Sequence, residues 1–254
     1  MLQLALAGLG TTAGLMFVAW LMSLPLRNVA IVDVFWGLAV AGAGATWLLL
    51  AEPGPRGTLA AGLAVLWAAR LALHILWRSR GKGEDRRYQV IRARNAPNFA
   101  FKSLYLVFAL QAVLAWVIAL PLFGAITGPA PLGPVDVCAV LLWLAGFLMQ
   151  AVADLQMARF QQRPGAEGAV MDRGLWRYSR HPNYFGETLM WWSLWLIAAA
   201  GGAWWTIVGP LLLTFLLLKV SGVALTEKDI ATRRPEYRAY IRRTSAFVPL
   251  PPRA

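Results

Sequence analysis

Cysteine and histidine are nearly absent from this chain: Cys138 is the one cysteine in 254 residues, and His74 and His181 are the two histidines. One cysteine forms no internal disulfide and no cysteine-rich metal centre. Two histidines would need carboxylates at ligand spacing to hold a metal, and no such spacing occurs, so no metal site is expected. Cys138 falls in an apolar stretch and is expected to be a small core residue. Charge is also scarce, at 14% of residues against 59% hydrophobic, which excludes an ordinary soluble domain. The acidic side is the leaner one, with 12 Asp and Glu against 24 Lys and Arg. There is no convincing internal repeat and no low-complexity segment.

What the chain has instead is apolar blocks close to the length that crosses a bilayer. They predict about seven spans, over 2–25, 29–50, 57–77, 103–126, 135–157, 184–201 and 203–222. Each must be helical, because a lipid-exposed backbone has to satisfy its own hydrogen bonds. The expected fold class is all-α: a polytopic membrane protein, residues 1–254 forming a single membrane-embedded domain with a cytoplasmic amphipathic tail. The first span lacks a basic leader and a clear small-residue cleavage site, so it reads as a span and not as a signal peptide. Pro53-Gly54-Pro55 and the Pro/Gly-rich run 127–134 mark turns, while Pro121 and Pro210 are expected to kink helices.

The net charge of +12 is distributed as a membrane protein distributes it and does not point to nucleic acid. Basic residues crowd the segments after span three, between spans five and six, and after span seven. The links after spans four and six carry no Lys or Arg. By the positive-inside rule the three basic segments and the carboxy terminus are cytoplasmic, and seven spans put the amino terminus outside. The basic tail is expected to lie on anionic membrane lipid.

The most unusual polar run is Arg173-Gly174-Leu175-Trp176-Arg177-Tyr178-Ser179-Arg180-His181-Pro182-Asn183-Tyr184-Phe185-Gly186-Glu187. Asn183 and Glu187 carry its polarity into the next apolar span, where a carboxylate is costly unless it meets a partner, a ligand or water. Asn183, Glu187, Trp191 and Trp195 recur every four residues and share one helical stripe. That stripe suits a cavity wet at its mouth and apolar deeper in; a Trp-rich packing seam would also account for the indoles. Asp154 lies near the inner end of span five, followed by Gln156, Arg159 and Arg163, and Gly165 and Gly168 flank Glu167. After Ser221-Gly222, Thr226-Glu227-Lys228-Asp229 opens a second polar helix, in which Tyr237 and Tyr240 line one face among Arg233, Arg234, Arg238, Arg242 and Arg243. Basic, aromatic and amide groups at this density read as a socket for a large anionic cofactor at the membrane surface.

A second polar cluster lies in the amino-terminal half. Asp33 sits in span two, Arg70, His74 and Arg78 form a stripe from span three, and Gly83-Glu84-Asp85-Arg86-Arg87-Tyr88 follows. Asp33 has Arg70 as one candidate partner. The acidic residues of the basic loop suggest specific pairing, although a solvated turn is the simpler alternative.

The Arg-His-Pro-Asn-Tyr-Phe-Gly-Glu core, the Asp154 helix before it and the Tyr-x-x-Tyr tail resemble the steroid 5-alpha-reductase family, and more narrowly its bacterial branch catalogued as a domain of unknown function. Val32-Asp33-Val34-Phe35-Trp36-Gly37, Gly83-Glu84-Asp85-x-Arg87-Tyr88 and Thr244-Ser245-x-Phe247-Val248-Pro249 look like further signatures of that branch. The resemblance implies NADPH-dependent reduction of a carbon–carbon double bond conjugated to a carbonyl, in a steroid-like or other lipid substrate. It also implies substrate-side helices over 1–126, a cofactor-binding half over 135–254 and a multi-pass protein of the bacterial inner membrane. Carried over by position, Asp154, Arg163, Asn183 and Glu187 belong to the cofactor pocket. Local chemistry adds Tyr178, Arg180, His181 and Tyr184, with arginines suited to phosphate and tyrosines to ring stacking, and Glu227, Tyr237 and Tyr240 close the site.

The departures from the family bear on the reaction. Its His-Tyr-x-x-Arg pattern reads His74-Ile75-Leu76-Trp77-Arg78 here, and the amino-terminal Gln-x-Glu pair has no counterpart. Polarising a carbonyl and protonating the neighbouring carbon then fall to other residues, and the candidates are Tyr88, Glu84, Asp85, His74 and Asp33, beside Arg87. Tyr88 is chemically the nearest replacement; the alternative is that this cluster only staples spans two and three to the loop. The Arg-His-Pro-x-Tyr core with a later Glu and the Tyr-x-x-Tyr tail also resembles membrane methyltransferases of the isoprenylcysteine and phospholipid type, which use S-adenosylmethionine. A non-catalytic lipid-binding membrane protein is the third reading.

Overall fold

The computed structural model describes residues 1–166, 168–223, 227, 230 and 235–253, and every regular element over them is helical. The expectations placed on Glu167, Thr226, Lys228, Asp229, Arg233 and Arg234 lie outside the described residues. The chain divides into two compact units, Met1–Gly133 with Ile197–Val208, and Pro134–Leu196 with Gly209–Ala254.

The first unit contains α1 (Leu2–Leu26), α2 (Val32–Leu50), α3 (Pro55–Ser79), α4 (Arg86–Arg94), α5 (Phe99–Ser103), α6 (Leu110–Ile118) and α7 (Leu120–Thr127), with a π-helical turn over Leu104–Ala109. Local chemistry sets the ends. Arg27 closes α1 in the left-handed region at φ 49°, and the Asn28 side chain accepts from Ala30 N at the next turn. Pro55 occupies the first turn of α3, where its missing N–H costs nothing. Asp85 caps α4 by accepting from Arg87 N at 2.9 Å. Pro121 separates α6 from α7 and so breaks the span where a kink was expected.

With no water to expel between helices in lipid, close packing depends on small residues and on satisfied polar groups. The α2 run Gly37-Leu38-Ala39-Val40-Ala41-Gly42-Ala43-Gly44-Ala45 provides the small residues. A Cβ at Gly8 of α1 would fall 2.4 Å from the ring of Trp47, which is fully buried and donates to Leu4 O at 2.8 Å. Trp116 of α6 likewise donates to Ala5 O at 2.9 Å.

The second unit is built on α8 (Pro134–Gln161), most of α9 (Pro182–Ala200), α10 (Val208–Phe215) from Gly209 onward and α11 (Tyr237–Arg243). At 1.5 Å per residue α8 is about 42 Å long, so it outruns a hydrocarbon core of about 30 Å. Its polar end at Asp154–Gln161 can therefore stand in the interfacial region. Pro210 sits in the first turn of α10 and marks a helix start, not a kink.

Five helical stretches are long and apolar enough to cross a membrane: Leu2–Leu26, Val29–Leu50, Pro55–Ser79, Phe99–Thr127 and Pro134–Gln161. These are the first five expected spans. The sixth and seventh fall short for different reasons. In α9 the opening Asn183, Gly186, Glu187 and Thr188 dilute the apolar content, and Trp204–Val220 is too short. Cys138 is a further correction: it is exposed on α8, where an exposed residue faces lipid and not a protein core.

Candidate functional site

In the second unit α8 presents Gly146, Gln150 and Asp154 at intervals of four, which places them on one face. The facing residues come from α9. A Cβ on Gly186 would lie 2.6 Å from Gly146 O and 2.8 Å from Gln150 N, so the two backbones cross in direct contact. Only glycine fits on both sides of that crossing, which is the physical reason for the glycine in the Asn-Tyr-Phe-Gly-Glu run. The close approach brings two polar pairs together. Asn183 Nδ2 donates to Asp154 Oδ1 at 3.1 Å, and one turn on, Gln150 Nε2 donates to Glu187 Oε2 at 3.2 Å. Gln150, Asp154 and Glu187 are all buried. Because the Asn183 amide gives its N–H to a carboxylate, its carbonyl oxygen is the end left over. That Oδ1 is buried and has no hydrogen-bond partner among the described residues.

The segment before α9 is fastened to α8 and to the tail. Gly174 takes φ +60°, a left-handed conformation that glycine allows, and a Cβ there would strike the Gln156 amide at 2.6 Å. Gln156 Oε1 accepts from Leu175 N at 3.0 Å, and Trp176 Nε1 donates to Ala153 O at 3.0 Å. From the other side, Arg180 N donates to Ser245 O at 2.8 Å, Ser179 Oγ to Phe247 O at 2.7 Å and Leu250 N to Tyr178 O at 3.0 Å. The Thr244-Ser245-x-Phe247-Val248-Pro249 signature is thus a strap laid along residues 178–180.

Arg180 and His181 form a charged knot behind this strap. Arg180 donates through Nε and Nη2 to the two oxygens of Glu227, at 2.6 and 2.9 Å, and through Nη1 to Ile241 O and Thr244 O. His181 Nε2 lies 3.1 Å from Glu227 Oε1, and its ring stacks on Tyr184 with centroids 5.4 Å apart. Burial pushes the Glu227 carboxyl up, but hydrogen bonds from His181 and Arg180 and the Arg180 charge outweigh it and hold the group at about 2. An ionised carboxylate only accepts, so Nε2 is the protonated nitrogen of His181. Tyr240 is buried and donates to Trp176 O, and Tyr237 packs edge-on against it at 5.2 Å.

The expected cofactor residues therefore divide. Asp154, Asn183 and Glu187 come together with Gln150 in the helix crossing. Arg180, His181, Tyr184, Glu227, Tyr237 and Tyr240 come together in the knot, where the Arg180 guanidinium is already committed to protein oxygens. Arg163 and Tyr178 are exposed and join neither group. Sequence reasoning missed Gln150; the signal was present in the four-residue spacing of Gly146, Gln150 and Asp154 within an otherwise apolar helix.

In the first unit the polar cluster closes on Asp33. Tyr88 Oη donates to Asp33 Oδ1 at 2.6 Å and Arg87 Nη2 to Oδ2 at 2.7 Å, while Arg87 Nε reaches Asp85 at 3.0 Å. Glu84 accepts from Nε and Nη2 of Arg92 at 2.8 and 2.7 Å, and from Val29 N at 2.8 Å. Burial and the Asp33 carboxylate raise the Tyr88 phenol well above its ordinary value, so it is a neutral donor. The loop is specifically paired, as the acidic residues suggested, and Asp85 works as a helix cap. His74 is half-buried and packs near Trp77 at 5.9 Å.

The chain is 25% identical over 218 residues to an uncharacterized protein of Schizosaccharomyces pombe, covering 74% of this chain and 61% of the relative. The chain thus spans about three-fifths of that relative's length. No solved structure matches it. A family model described as "Protein of unknown function (DUF1295)" matches residues 19–244, which takes in the Asp33 cluster, the helix crossing and the Arg180 knot. The chain belongs to the DUF1295 family.

Proposed function

We propose that this protein is a membrane-embedded, NADPH-dependent reductase of a carbon–carbon double bond conjugated to a carbonyl in a lipid-like substrate. The observation that carries the reading is the Asn183 amide: its nitrogen is committed to Asp154, and its buried oxygen has no donor among the described residues. A buried acceptor of this kind costs roughly 1–3 kcal/mol when left unpaired. A carboxamide N–H, such as the one nicotinamide carries, is the complementary group. Asp154, Glu187 and Gln150 surround the same crossing and supply acceptors for ribose hydroxyls. Arg163 is the candidate for a cofactor phosphate, since Arg180 is spent on Glu227. NADPH, when bound, supplies the hydride.

The proposed proton source is Tyr88, held neutral beside Asp33. Its observed partners equally serve a staple between α2 and α4, and the Tyr88→Phe experiment in the Discussion separates the roles. The alternation of basic and uncharged links supports seven crossings with the carboxy terminus in the cytoplasm, and the family resemblance implies a bacterial inner membrane. The Arg180–His181–Glu227 knot and the Tyr-x-x-Tyr pair are equally compatible with the methyltransferase reading; Asp154, the Asn183–Glu187 stripe and the signatures spread along the whole chain favour the reductase.

The test is thermal stabilisation of the purified, detergent-solubilised protein, because a ligand that favours the folded state raises its apparent stability. NADPH is expected to raise Tm and S-adenosylmethionine is not. A shift with S-adenosylmethionine alone transfers the site to methyl transfer, and no shift with either leaves a lipid-binding protein.

A further inference from the structure

Outside the helix crossing, the second unit contains a cavity of about 220 Å³ between α11 and the carboxy-terminal strap. Four arginines line it, Arg180, Arg242, Arg243 and Arg253, together with Ser245, and no acidic residue does among the described residues. The strap makes this possible by folding back on itself: Arg253 N donates to Arg243 O at 2.8 Å, which brings the end of the strap beside the end of the helix. Two of the four charges are answered within the protein. Arg180 is held by Glu227 and Arg243 by Asp172. The other two, Arg242 and Arg253, are exposed and have no side-chain hydrogen bond or ion pair among the described residues.

Guanidinium groups gathered round one cavity repel each other unless an anion sits between them, and their planar forks match a tetrahedral oxyanion. The volume admits a phosphate and part of an attached glycerol, given that a water molecule occupies about 30 Å³ of the liquid. The rim has a second character. Val248 and Leu250 of the strap are 49% and 50% exposed, so apolar side chains stand next to the unanswered arginines. Basic and apolar groups side by side next to a membrane-spanning bundle are the composition of an interfacial segment.

We propose that the cavity between α11 and the strap is a binding site for a phosphate group, gripped by Arg242 and Arg253. An anionic lipid headgroup and free phosphate share that chemistry, and the apolar rim matches the lipid. The site is separate from the Asn183–Glu187 crossing and stands whether or not the protein is a reductase.

The experiment uses the full chain in detergent with no nicotinamide cofactor present, so its outcome is independent of the reductase reading. Tm is measured with short-chain phosphatidylglycerol, with phosphatidylcholine of the same chain length, and with inorganic phosphate against chloride at matched ionic strength. Phosphatidylglycerol is expected to raise Tm by several degrees more than phosphatidylcholine. The Arg242→Gln/Arg253→Gln variant is expected to lose most of that difference while keeping its Tm in phosphatidylcholine. A phosphate-over-chloride shift that vanishes in the same variant extends the site to the free ion; its absence beside a phosphatidylglycerol shift assigns the site to lipid. Equal shifts with the two lipids and none with phosphate overturn the proposal, as does a full phosphatidylglycerol shift in the variant. Arg253→Gln alone, outside any helix, guards against a misfolded double variant: it too must lose part of the shift, and full retention overturns the assignment.

Discussion

Arg180 and Glu227 are 47 positions apart in the chain, yet the guanidinium meets both carboxylate oxygens, at 2.6 and 2.9 Å, and His181 shares one of them. Glu227 is thereby the acid that neutralises the start of α9. Two consequences follow from the pair being largely buried. The Arg180 guanidinium is not free to bind a ligand anion, and removing either partner leaves a charge without its counterpart.

The pH dependence has a definite sign. Glu227 is held at about 2 against an ordinary 4.5, so its stabilising contribution is fully present above pH 4.5 and is lost as pH falls toward 2. After allowance for solvent screening the contribution is on the order of 2 kcal/mol. Denaturation of the wild type and Glu227→Gln in detergent should show a gap near neutral pH that closes between pH 4.5 and 2. A gap that does not change with pH would detach the stability of the knot from this carboxylate.

Gly186→Ala introduces a Cβ 2.6 Å from Gly146 O and 2.8 Å from Gln150 N, both backbone atoms that cannot rotate away. The helices must separate locally, at a cost of about 1–3 kcal/mol or more. Because the Asn183–Asp154 and Gln150–Glu187 pairs depend on that approach, the variant should lose both Tm and NADPH-induced stabilisation. Gly10→Ala, where nothing lies within 4 Å of the added carbon, is the control and should change neither.

Asn183→Leu keeps the volume and removes the amide. Asp154 Oδ1 loses one donor, which costs about 1 kcal/mol, and the orphaned oxygen disappears. The folded protein is expected to survive and the NADPH-induced rise in Tm to vanish. A normal ligand shift in this variant would move the nicotinamide away from the α8–α9 crossing.

Tyr88→Phe leaves Asp33 Oδ1 without its 2.6 Å donor while Arg87 keeps Oδ2. A stability loss of about 1–3 kcal/mol is expected from the lost hydrogen bond to this part-buried carboxylate. If Tyr88 supplies the proton, turnover per folded molecule is also abolished, with NADPH-induced stabilisation intact. Asp33→Asn serves as the comparison, because it keeps an acceptor for the phenol and should retain measurable turnover. Full turnover in Tyr88→Phe would remove it from the chemistry and confine it to the staple.

The helical class and the first five membrane-length segments were legible in the sequence, because a lipid-exposed backbone must satisfy its own hydrogen bonds and only long apolar helices do so locally. The four-residue spacing of Asn183, Glu187, Trp191 and Trp195 could be read for the same reason: helix geometry converts spacing into a face without any knowledge of neighbours. Partner choice was another matter. Asp33 had Arg70 four residues before His74 as an obvious candidate, and the structure gives it Arg87 and Tyr88 from the loop after α3. Arg180 read as a phosphate ligand until the strap and Glu227 enclosed it. A guanidinium has five donors and is satisfied by any acceptor that the fold brings near, so spacing along the chain does not identify its partner. The backbone crossing of Gly146 and Gly186 was equally hidden, since a glycine in a helix has the same local signature whether it faces lipid or another backbone. Which face of a helix meets which neighbour is settled by packing between distant segments, and only the tertiary structure contains that information.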